Sequence, residues 1–195
     1  MSELRKVLNV GGGNKGIPIP AYYMGWQIVL LDIDPDGHPD ICCDARDLKS
    51  IPGKQFDAVY CSHNLEHYYA HVTHDVLRGF VHVLRDDGFA DIRVPDIAAV
   101  MAHVMAHGLD IDDTLYQSTA GPITAKDVLY GYGRELVETG NDFYAHKTGF
   151  TEKSLLRVLR ESGFKDNYVA KHDFQIDVLS FVAEPNAWQR TTFGL

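Results

Sequence analysis

Short apolar runs, each followed by polar residues, recur along the first half of the chain. They span residues 7–10, 28–31, 41–43, 56–61 and 89–94, and they end at glycine, aspartate, serine or proline. A strand buried on both faces of a parallel sheet reads as such an apolar run, whereas a half-exposed strand alternates. The pattern therefore predicts five buried strands, followed by a closing strand pair at 167–171 and 176–183.

A second periodicity, with apolar residues three and four positions apart, predicts three amphipathic helices. Met101 and Met105 lie on the apolar stripe of the second helix, so we expect them in the core. The expected amino-terminal caps are Thr73, Asp96 and Thr151, and the expected stops are Gly88, Gly108 and Gly163. Strands that alternate with helices indicate a doubly wound, mostly parallel sheet.

Residues 109–145 interrupt this regular pattern. They lack clear periodicity and are rich in glycine, threonine, aspartate and tyrosine. Long irregular insertions in compact domains are commonly functional. No repeat or Pro/Ser-rich linker divides the chain, so we expect one domain over residues 1–195, with 109–145 as a lid or substrate insertion.

Composition restricts the partners. The chain of 195 residues is 45% hydrophobic and carries a net charge of −9, a poor match for a phosphate backbone, so nucleic acid is a disfavoured partner. Cys42, Cys43 and Cys61 have no C-x-x-C spacing, which argues against a disulfide framework. No signal peptide and no membrane span are expected. The predicted location is the cytoplasm, with a small molecule as partner and an oligomeric state that the sequence leaves open.

A glycine loop follows the first predicted strand. Residues 11–16 fit the pattern G-x-G-x-x-G, and Asp32 ends the next strand, which together predict a nucleotide-cofactor site. Pro18 and Pro20 push the residues before them away from helical angles and delay any helix beneath the loop. A pyrophosphate needs that helix amino terminus directly below it. A cofactor without phosphates fits better.

The motifs, taken in order, resemble those of class I S-adenosylmethionine-dependent methyltransferases. The resemblance lies in residues 7–13, 31–34, 43–48, 56–59 and 62–67, and again in 146–151 and 163–164. It implies S-adenosylmethionine as cofactor. Together with the periodicities it predicts an α/β fold, a doubly wound, mostly parallel seven-stranded Rossmann-like sheet with a terminal antiparallel strand.

The resemblance also implies roles for individual residues. Gly11 and Gly13 would contact the methionine part of the cofactor, and Asp32 would accept hydrogen bonds from the ribose hydroxyls. Asp44 would face the adenine amino group, and Ser62 would line the methyl-transfer centre. Asn9 stands where the family more often has an acidic residue. The full set of predicted cofactor-binding residues is Asn9, Gly11, Gly12, Gly13, Asp32, Ile33, Asp44, Ala45, Ser62 and His63.

Histidines are the candidates for acid–base chemistry, because an imidazole accepts a proton near neutral pH. We predict His63 and His146 as catalytic residues, ahead of Tyr144 and Glu66. Residues 63–67 also spell H-x-x-E-H, a zinc-protease motif. That motif requires a regular helix and a third protein ligand, whereas this one directly follows a strand, so no metal is expected. Glu66 and His67 are expected to fix the loop by hydrogen bonds.

The predicted activity is methyl transfer from S-adenosylmethionine to an oxygen or nitrogen of a small-molecule or carbohydrate-like acceptor. Two other classes stay open at this point. The glycine loop and Asp32 alone also suit an NAD(P)-dependent oxidoreductase. A non-catalytic cofactor-binding module would keep the fold without turnover.

Overall fold

A computed structural model describes residues 4–118 and 121–195. Residues 1–3 lie outside the described residues. The expectation of no signal peptide at the start of the chain therefore falls partly outside them. The strands are β1 (Lys6–Val10), β2 (Gln27–Asp32), β3 (Ile41–Cys42), β4 (Phe56–Ser62), β5 (Leu84–Pro95), β6 (Thr114–Ser118), β7 (Gly121–Thr124), β8 (Asp166–His172) and β9 (Gln175–Phe181). The helices are α1 (Thr73–Val83), α2 (Ile97–His107), α3 (Ala125–Tyr130), α4 (Gly133–Thr139), α5 (Glu152–Ser162) and α6 (Ala187–Phe193). Within the described ranges, no helix is long and apolar enough to cross a membrane.

Seven strands form one sheet in the order β3-β2-β1-β4-β5-β9-β8. Neighbouring strands run parallel from β3 to β5, and β9, the last strand of the chain, runs antiparallel to both β5 and β8. The predicted fold class is confirmed. Val10 pairs with Leu31 on one side and Cys61 on the other. The carboxyl ends of β1, β2 and β4 therefore meet at one edge of the sheet, where open α/β sheets bind ligands.

The two faces of the sheet bury different cores, because successive side chains of a strand point to opposite sides. Leu8 faces the larger core, which α1 and α5 cover. Val7, its neighbour, faces an aromatic core around Phe89 and Phe181. A 3₁₀ turn (Ala21–Tyr23) covers part of this second face in place of a helix between β1 and β2. The delay predicted from the two prolines is thereby confirmed.

Two of the three predicted helix caps are confirmed. The Asp96 carboxylate accepts the Ala98 and Ala99 N–H groups at 3.0 and 3.2 Å, and Thr151 forms a capping box with Ser154. The prediction for Thr73 was wrong, because this residue is already helical and its hydroxyl donates to the Tyr69 carbonyl.

The predicted stop of α1 at Gly88 was also wrong. The helix ends at Val83, and Leu84 begins β5, where it pairs with Phe56 of β4. The long β5 therefore takes up the residues that the helical spacing had assigned to α1.

The expected burial of two methionines was wrong as well. Met101 is 51% exposed and Met105 is 82% exposed. Val100 is the buried residue of α2, and it packs against Leu115, Ala125 and Val128 rather than against the sheet. A helix that rests on a small satellite cluster buries a narrower stripe than its apolar spacing suggests.

That satellite cluster belongs to the insertion at 109–145, which holds more regular structure than its sequence predicts. β6 and β7 pair as an antiparallel hairpin, and α3 and α4 follow them. A capping box between Thr124 and Asp127 begins α3. Leu115, Ala125 and Val128 of the insertion pack with Val100 of α2, whereas Val137 and Tyr130 are exposed.

Candidate active site

The glycine loop after β1 closes the edge of the sheet by backbone geometry. Gly11 and Gly13 have φ angles of +67° and +68°, which favour glycine. The Gly11 N–H donates to the Leu31 carbonyl at 2.9 Å. A Cβ at Gly11 would lie 2.1 Å from Nδ2 of Asn64, and one at Gly12 would lie 2.2 Å from Nδ2 of Asn9. The loop thus needs glycine both for its turn and for the close approach of these two asparagines.

Asp32 joins the loops after β1 and β2. The residue is 8% exposed, and its carboxylate accepts the Gly13 N–H at 2.9 Å through Oδ2 and the Asp34 N–H at 3.0 Å through Oδ1. Each carboxylate oxygen has two lone pairs, so both can accept a further hydrogen bond from a ligand. Ile33, another predicted contact, directly follows it at the same edge.

Asp44 and Ala45 play local structural roles. The Asp44 carboxylate accepts the Arg46 backbone N–H at 2.9 Å and the Arg46 Nε–H at 2.8 Å, and so begins a 3₁₀ turn (Ala45–Ser50). Ala45 is buried in the larger core. The turn lies directly after β3, at the same sheet edge as Asp32.

His63 follows β4 and Ser62 in a left-handed conformation with φ of +49°. The Gln175 amide nitrogen donates to Asp177 at 2.6 Å, so the Gln175 oxygen faces the His63 Nε2 at 2.7 Å and accepts its proton. The His63 Nδ1 lies 3.4 Å from Glu66 Oε1. Burial opposes a charged ring, but Glu66 and Gln175 outweigh it and raise the pKa of His63. When the ring is protonated, both nitrogens carry a proton and face these acceptors, so His63 has no lone pair left to take the proton of a methyl acceptor.

His146 has the opposite character. Its Nδ1 lies 2.8 Å from the Val128 carbonyl and donates to it, which leaves Nε2 with a lone pair. Burial lowers the pKa of His146, so the ring favours the neutral form. Its ring packs edge-on against His67 with centroids 4.9 Å apart.

Tyr144, the third candidate base, lies near the β2 loop. Burial and the nearby charges of Glu135, Asp34 and Asp32 raise its pKa. Its hydroxyl therefore keeps its proton at neutral pH and is a poor base. The same charges place this end of the insertion beside the predicted ribose site.

A cavity of about 1020 Å³ opens beside His63 and His146. Its wall draws on α2, the hairpin, α3 and the β8–β9 turn. Sequence reasoning missed most of its polar lining, which includes Tyr116, Asp127 and Gln175. Gln175 could have been found from topology, because the start of an antiparallel β9 lies beside the end of β5. For Asp127, the sequence offers only its spacing from Thr124, which is typical of a helix capping box and not of a binding site.

The geometry is that of a Rossmann-like fold suited to a nucleoside cofactor, with a glycine loop after β1, a carboxylate after β2 and a cavity beyond β4. Residues 8–91 match the family model described as a methyltransferase domain. No curated protein matches the sequence.

Solved structures share the fold at low sequence identity. An S-adenosylmethionine-dependent methyltransferase from Archaeoglobus fulgidus is 15% identical, with a TM-score of 0.58 over 91% of this chain and 86% of that one. The 1,6-didemethyltoxoflavin-N1-methyltransferase of Burkholderia thailandensis, solved with its acceptor and S-adenosylhomocysteine, is 17% identical, with a TM-score of 0.52 over 91% and 70%. The plantazolicin methyltransferase BamL, solved with a desmethyl analogue and S-adenosylhomocysteine, is 10% identical, with a TM-score of 0.58 over 93% and 78%.

The methyltransferase family match over residues 8–91 and the shared fold support a class I S-adenosylmethionine-dependent methyltransferase. The methyltransferase match and the neighbours solved with S-adenosylhomocysteine indicate S-adenosylmethionine as the cofactor.

Proposed function

We propose that this enzyme transfers the methyl group to an oxygen or nitrogen of a small-molecule or carbohydrate-like acceptor bound in the cavity beside His146. The observation that carries the proposal is the cavity itself. Its volume of about 1020 Å³ is at the upper end of the range for small-molecule sites, roughly 300–1,000 Å³. Tyr116, Phe174 and Ile123 give it apolar surface, and Asp127 and Gln175 add polar groups.

The cofactor, in this proposal, lies across the carboxyl ends of β1, β2 and β4. Gly11 and Gly13 let the backbone approach its methionine part, and Asp32 accepts from its ribose hydroxyls. Asn9, Gly12, Ile33, Asp44, Ala45 and Ser62 complete the edge. The contacts of Asp32 with the two loop amides support this placement, because they fix the carboxylate before the ligand arrives.

Methyl transfer needs an in-line approach of the acceptor lone pair to the methyl carbon, while the sulfur keeps the electron pair of the broken bond. The protein supplies mainly position and a place for the acceptor's proton. We assign the acceptor's nucleophile to the side of His146, because Nε2 of this ring keeps a lone pair. His63 instead positions Glu66 and Gln175.

The insertion at 109–145 is proposed to act as a lid over this cavity, within a single domain of residues 1–195. Tyr116, Asp127 and Tyr132 all belong to it and all line the cavity. We propose a cytoplasmic enzyme, in keeping with three free cysteines. The net charge of −9 argues against a nucleic-acid acceptor.

The test is release of S-adenosylhomocysteine on a panel of hydroxyl, amine, carbon and nucleic-acid acceptors, with products located by NMR. We expect turnover with a small hydroxyl or amine acceptor. A His146→Gln variant should lose turnover and keep cofactor affinity. Turnover only with carbon nucleophiles or with nucleic acid would contradict the proposal.

A further inference from the structure

We propose that Glu66, His67 and His146 bind one divalent transition-metal ion, such as Zn²⁺ or Co²⁺, at the wall of the acceptor cavity. The sequence argued against a metal at H-x-x-E-H because the motif lacked a helix and a third ligand. The structure keeps it in a 3₁₀ turn (Leu65–His67). It also brings His146, from far along the chain, against the motif.

Glu66 is the first observation that points to an ion. The residue is 1% exposed, and in the part of the chain that the structure describes both carboxylate oxygens are buried without a hydrogen bond. The His63 Nδ1 lies 3.4 Å from one of them. Buried carboxylates nearly always receive hydrogen bonds or bind a metal. The His63 ring lies beside the carboxylate but forms no hydrogen bond to either oxygen, so a metal ion would supply the partner that both oxygens lack.

The three side chains converge on one point. One donor atom from each of Glu66, His67 and His146 lies within 4.8 Å of the other two. Donor atoms around a tetrahedral Zn²⁺ with bonds of about 2.1 Å are about 3.4 Å apart. Side-chain movements of about 1 Å would therefore close the site.

The backbone holds the two halves of the site together. The Lys147 and Thr148 N–H groups donate to the Glu66 carbonyl at 2.8 and 3.1 Å, and the His146 N–H donates to the Tyr130 carbonyl at 3.0 Å. These contacts join the loop after β4 to the loop before α5. Both ligand-bearing loops are thus positioned without the ion.

The His146 ring is also oriented as metal ligands commonly are, with one nitrogen held by a carbonyl and the other available. The His146 Nδ1 donates to Val128 at 2.8 Å, so Nε2 is the ligand nitrogen. The His67 nitrogens contact the Ala145 and His63 carbonyls at 3.1 and 3.2 Å. On binding, His67 would keep one of these contacts and give the other nitrogen to the ion.

Two imidazoles and one carboxylate suit zinc and its first-row neighbours better than Mg²⁺ or Ca²⁺, and three protein ligands leave one position open. His146 lines the cavity, so the open position faces the acceptor. This use of the ion rests on the proposed function. With the ion bound, His146 Nε2 has no free lone pair, so the ion takes over its role: an acceptor hydroxyl bound at the open position would lose its proton to water in the cavity more easily.

A competing metal site must be removed from the test. His103 and His107 lie one turn apart on α2, with ring centroids 4.1 Å apart, and such an exposed pair binds Co²⁺ or Zn²⁺ adventitiously. His103 also lines the cavity. His107→Gln is therefore the matched control, since it removes a histidine from the competing pair and leaves the proposed ligands unchanged.

The experiment titrates Co²⁺ into chelator-treated full-length protein, followed by visible absorption and calorimetry, with metal content measured on the untreated protein. We expect one tight ion per chain in the wild type and in His107→Gln. Glu66→Gln and His146→Gln should each weaken this binding by at least about 100-fold. Zn²⁺ should raise Tm in the first two proteins and not in the last two.

Absence of tight Co²⁺ binding by the wild type would overturn the proposal. So would loss of binding in His107→Gln together with its retention in Glu66→Gln. Should Glu66→Gln fail to fold, His146→Gln decides the question alone. S-adenosylhomocysteine affinity is measured on the same samples without metal. If the wild type does not bind S-adenosylhomocysteine, the proposed function is contradicted, whereas the metal-binding result stands independently.

Discussion

The proposed cofactor edge and the proposed acceptor cavity are assembled in different ways. The cofactor edge consists of short loops after β1, β2 and β4, all from the first third of the chain, and backbone amides fix its main carboxylate, Asp32. The acceptor cavity draws side chains from His63 to Gln175, across four separate parts of the fold.

The difference determines what a sequence can reveal. A loop that needs positive φ angles must contain glycine, so Gly11 and Gly13 mark the first region openly. The cavity imposes no such local requirement. Its residues are ordinary polar and aromatic side chains that only the tertiary fold brings together, and the insertion supplies several of them.

The largest effect is expected from Asp32→Ala, which should weaken S-adenosylhomocysteine binding by about 100-fold. The carboxylate is fixed by two amides, and charged hydrogen bonds to a ligand are worth about 1.5–3 kcal/mol each. Calorimetry measures the change. Asp36→Ala, on the same loop, is the control and should bind normally. If both variants bind S-adenosylhomocysteine equally well, the proposed contact between Asp32 and the ribose is wrong.

The next effect concerns Asp91 on β5. Arg93 forms ion pairs with both Asp91 and Asp177. Burial raises the pKa of Asp91 to about 6. The carboxyl accepts a hydrogen bond from the Tyr22 hydroxyl. The other titratable groups that face it are Tyr23, Arg93 and Asp177. The native state therefore holds this proton more tightly than the unfolded chain. Its contribution to stability is lost as pH rises from about 4 to about 6, on the order of 2 kcal/mol.

Asp91→Asn tests this sign. Urea unfolding at pH 4 and pH 7 should show the variant gaining stability relative to the wild type at the higher pH. A stability difference that is the same at both values would show that the carboxyl of Asp91 does not titrate differently in the folded state. S-adenosylhomocysteine affinity should not change, because Asp91 lies outside the cofactor edge.

Gly11→Ala should destabilise the cofactor edge by about 2 kcal/mol. The new Cβ would meet the Asn64 side chain at 2.1 Å, and the residue would keep a φ of +67°. Thermal and urea unfolding measure the loss. Repeating the change in an Asn64→Ala background removes the clash and leaves only the backbone cost, so the double variant should lose less from this substitution than the single one.

The smallest effect is expected from Asp127→Ala, about 1 kcal/mol. The Asp127 carboxylate accepts the Thr124 N–H at 2.9 Å and the Gly133 N–H at 3.2 Å, and thereby holds the insertion. Limited proteolysis within 109–145 should become faster while cofactor affinity stays the same. Asp112→Ala, which removes an exposed ion pair with Lys126, is the control. Lost cofactor affinity would contradict the separation of the two regions.

The sheet could be predicted because buried strands leave continuous apolar runs, as β1, β2 and β4 do. Helix caps with a local signature were also predicted, as at Asp96 and Thr151. The end of α1 was not, because the pairing of Leu84 with Phe56 is a tertiary contact. Met101 and Met105 failed for a similar reason, since α2 packs on the insertion.

Of the site, the sequence predicted the loop residues and both histidines on the cavity wall. It did not distinguish the two rings. That distinction depends on Gln175 for His63 and on the Val128 carbonyl for His146, and neither contact has a sequence signature. The roles assigned to these residues in catalysis stay predictions.

The most direct test of the account compares S-adenosylhomocysteine binding in three proteins by calorimetry: the wild type, Asp32→Ala and His146→Gln. The account predicts one site per chain in the wild type, binding weakened by about 100-fold in Asp32→Ala, and nearly unchanged affinity in His146→Gln. Normal binding by Asp32→Ala, or its loss in His146→Gln, would contradict the division between a cofactor edge and an acceptor cavity.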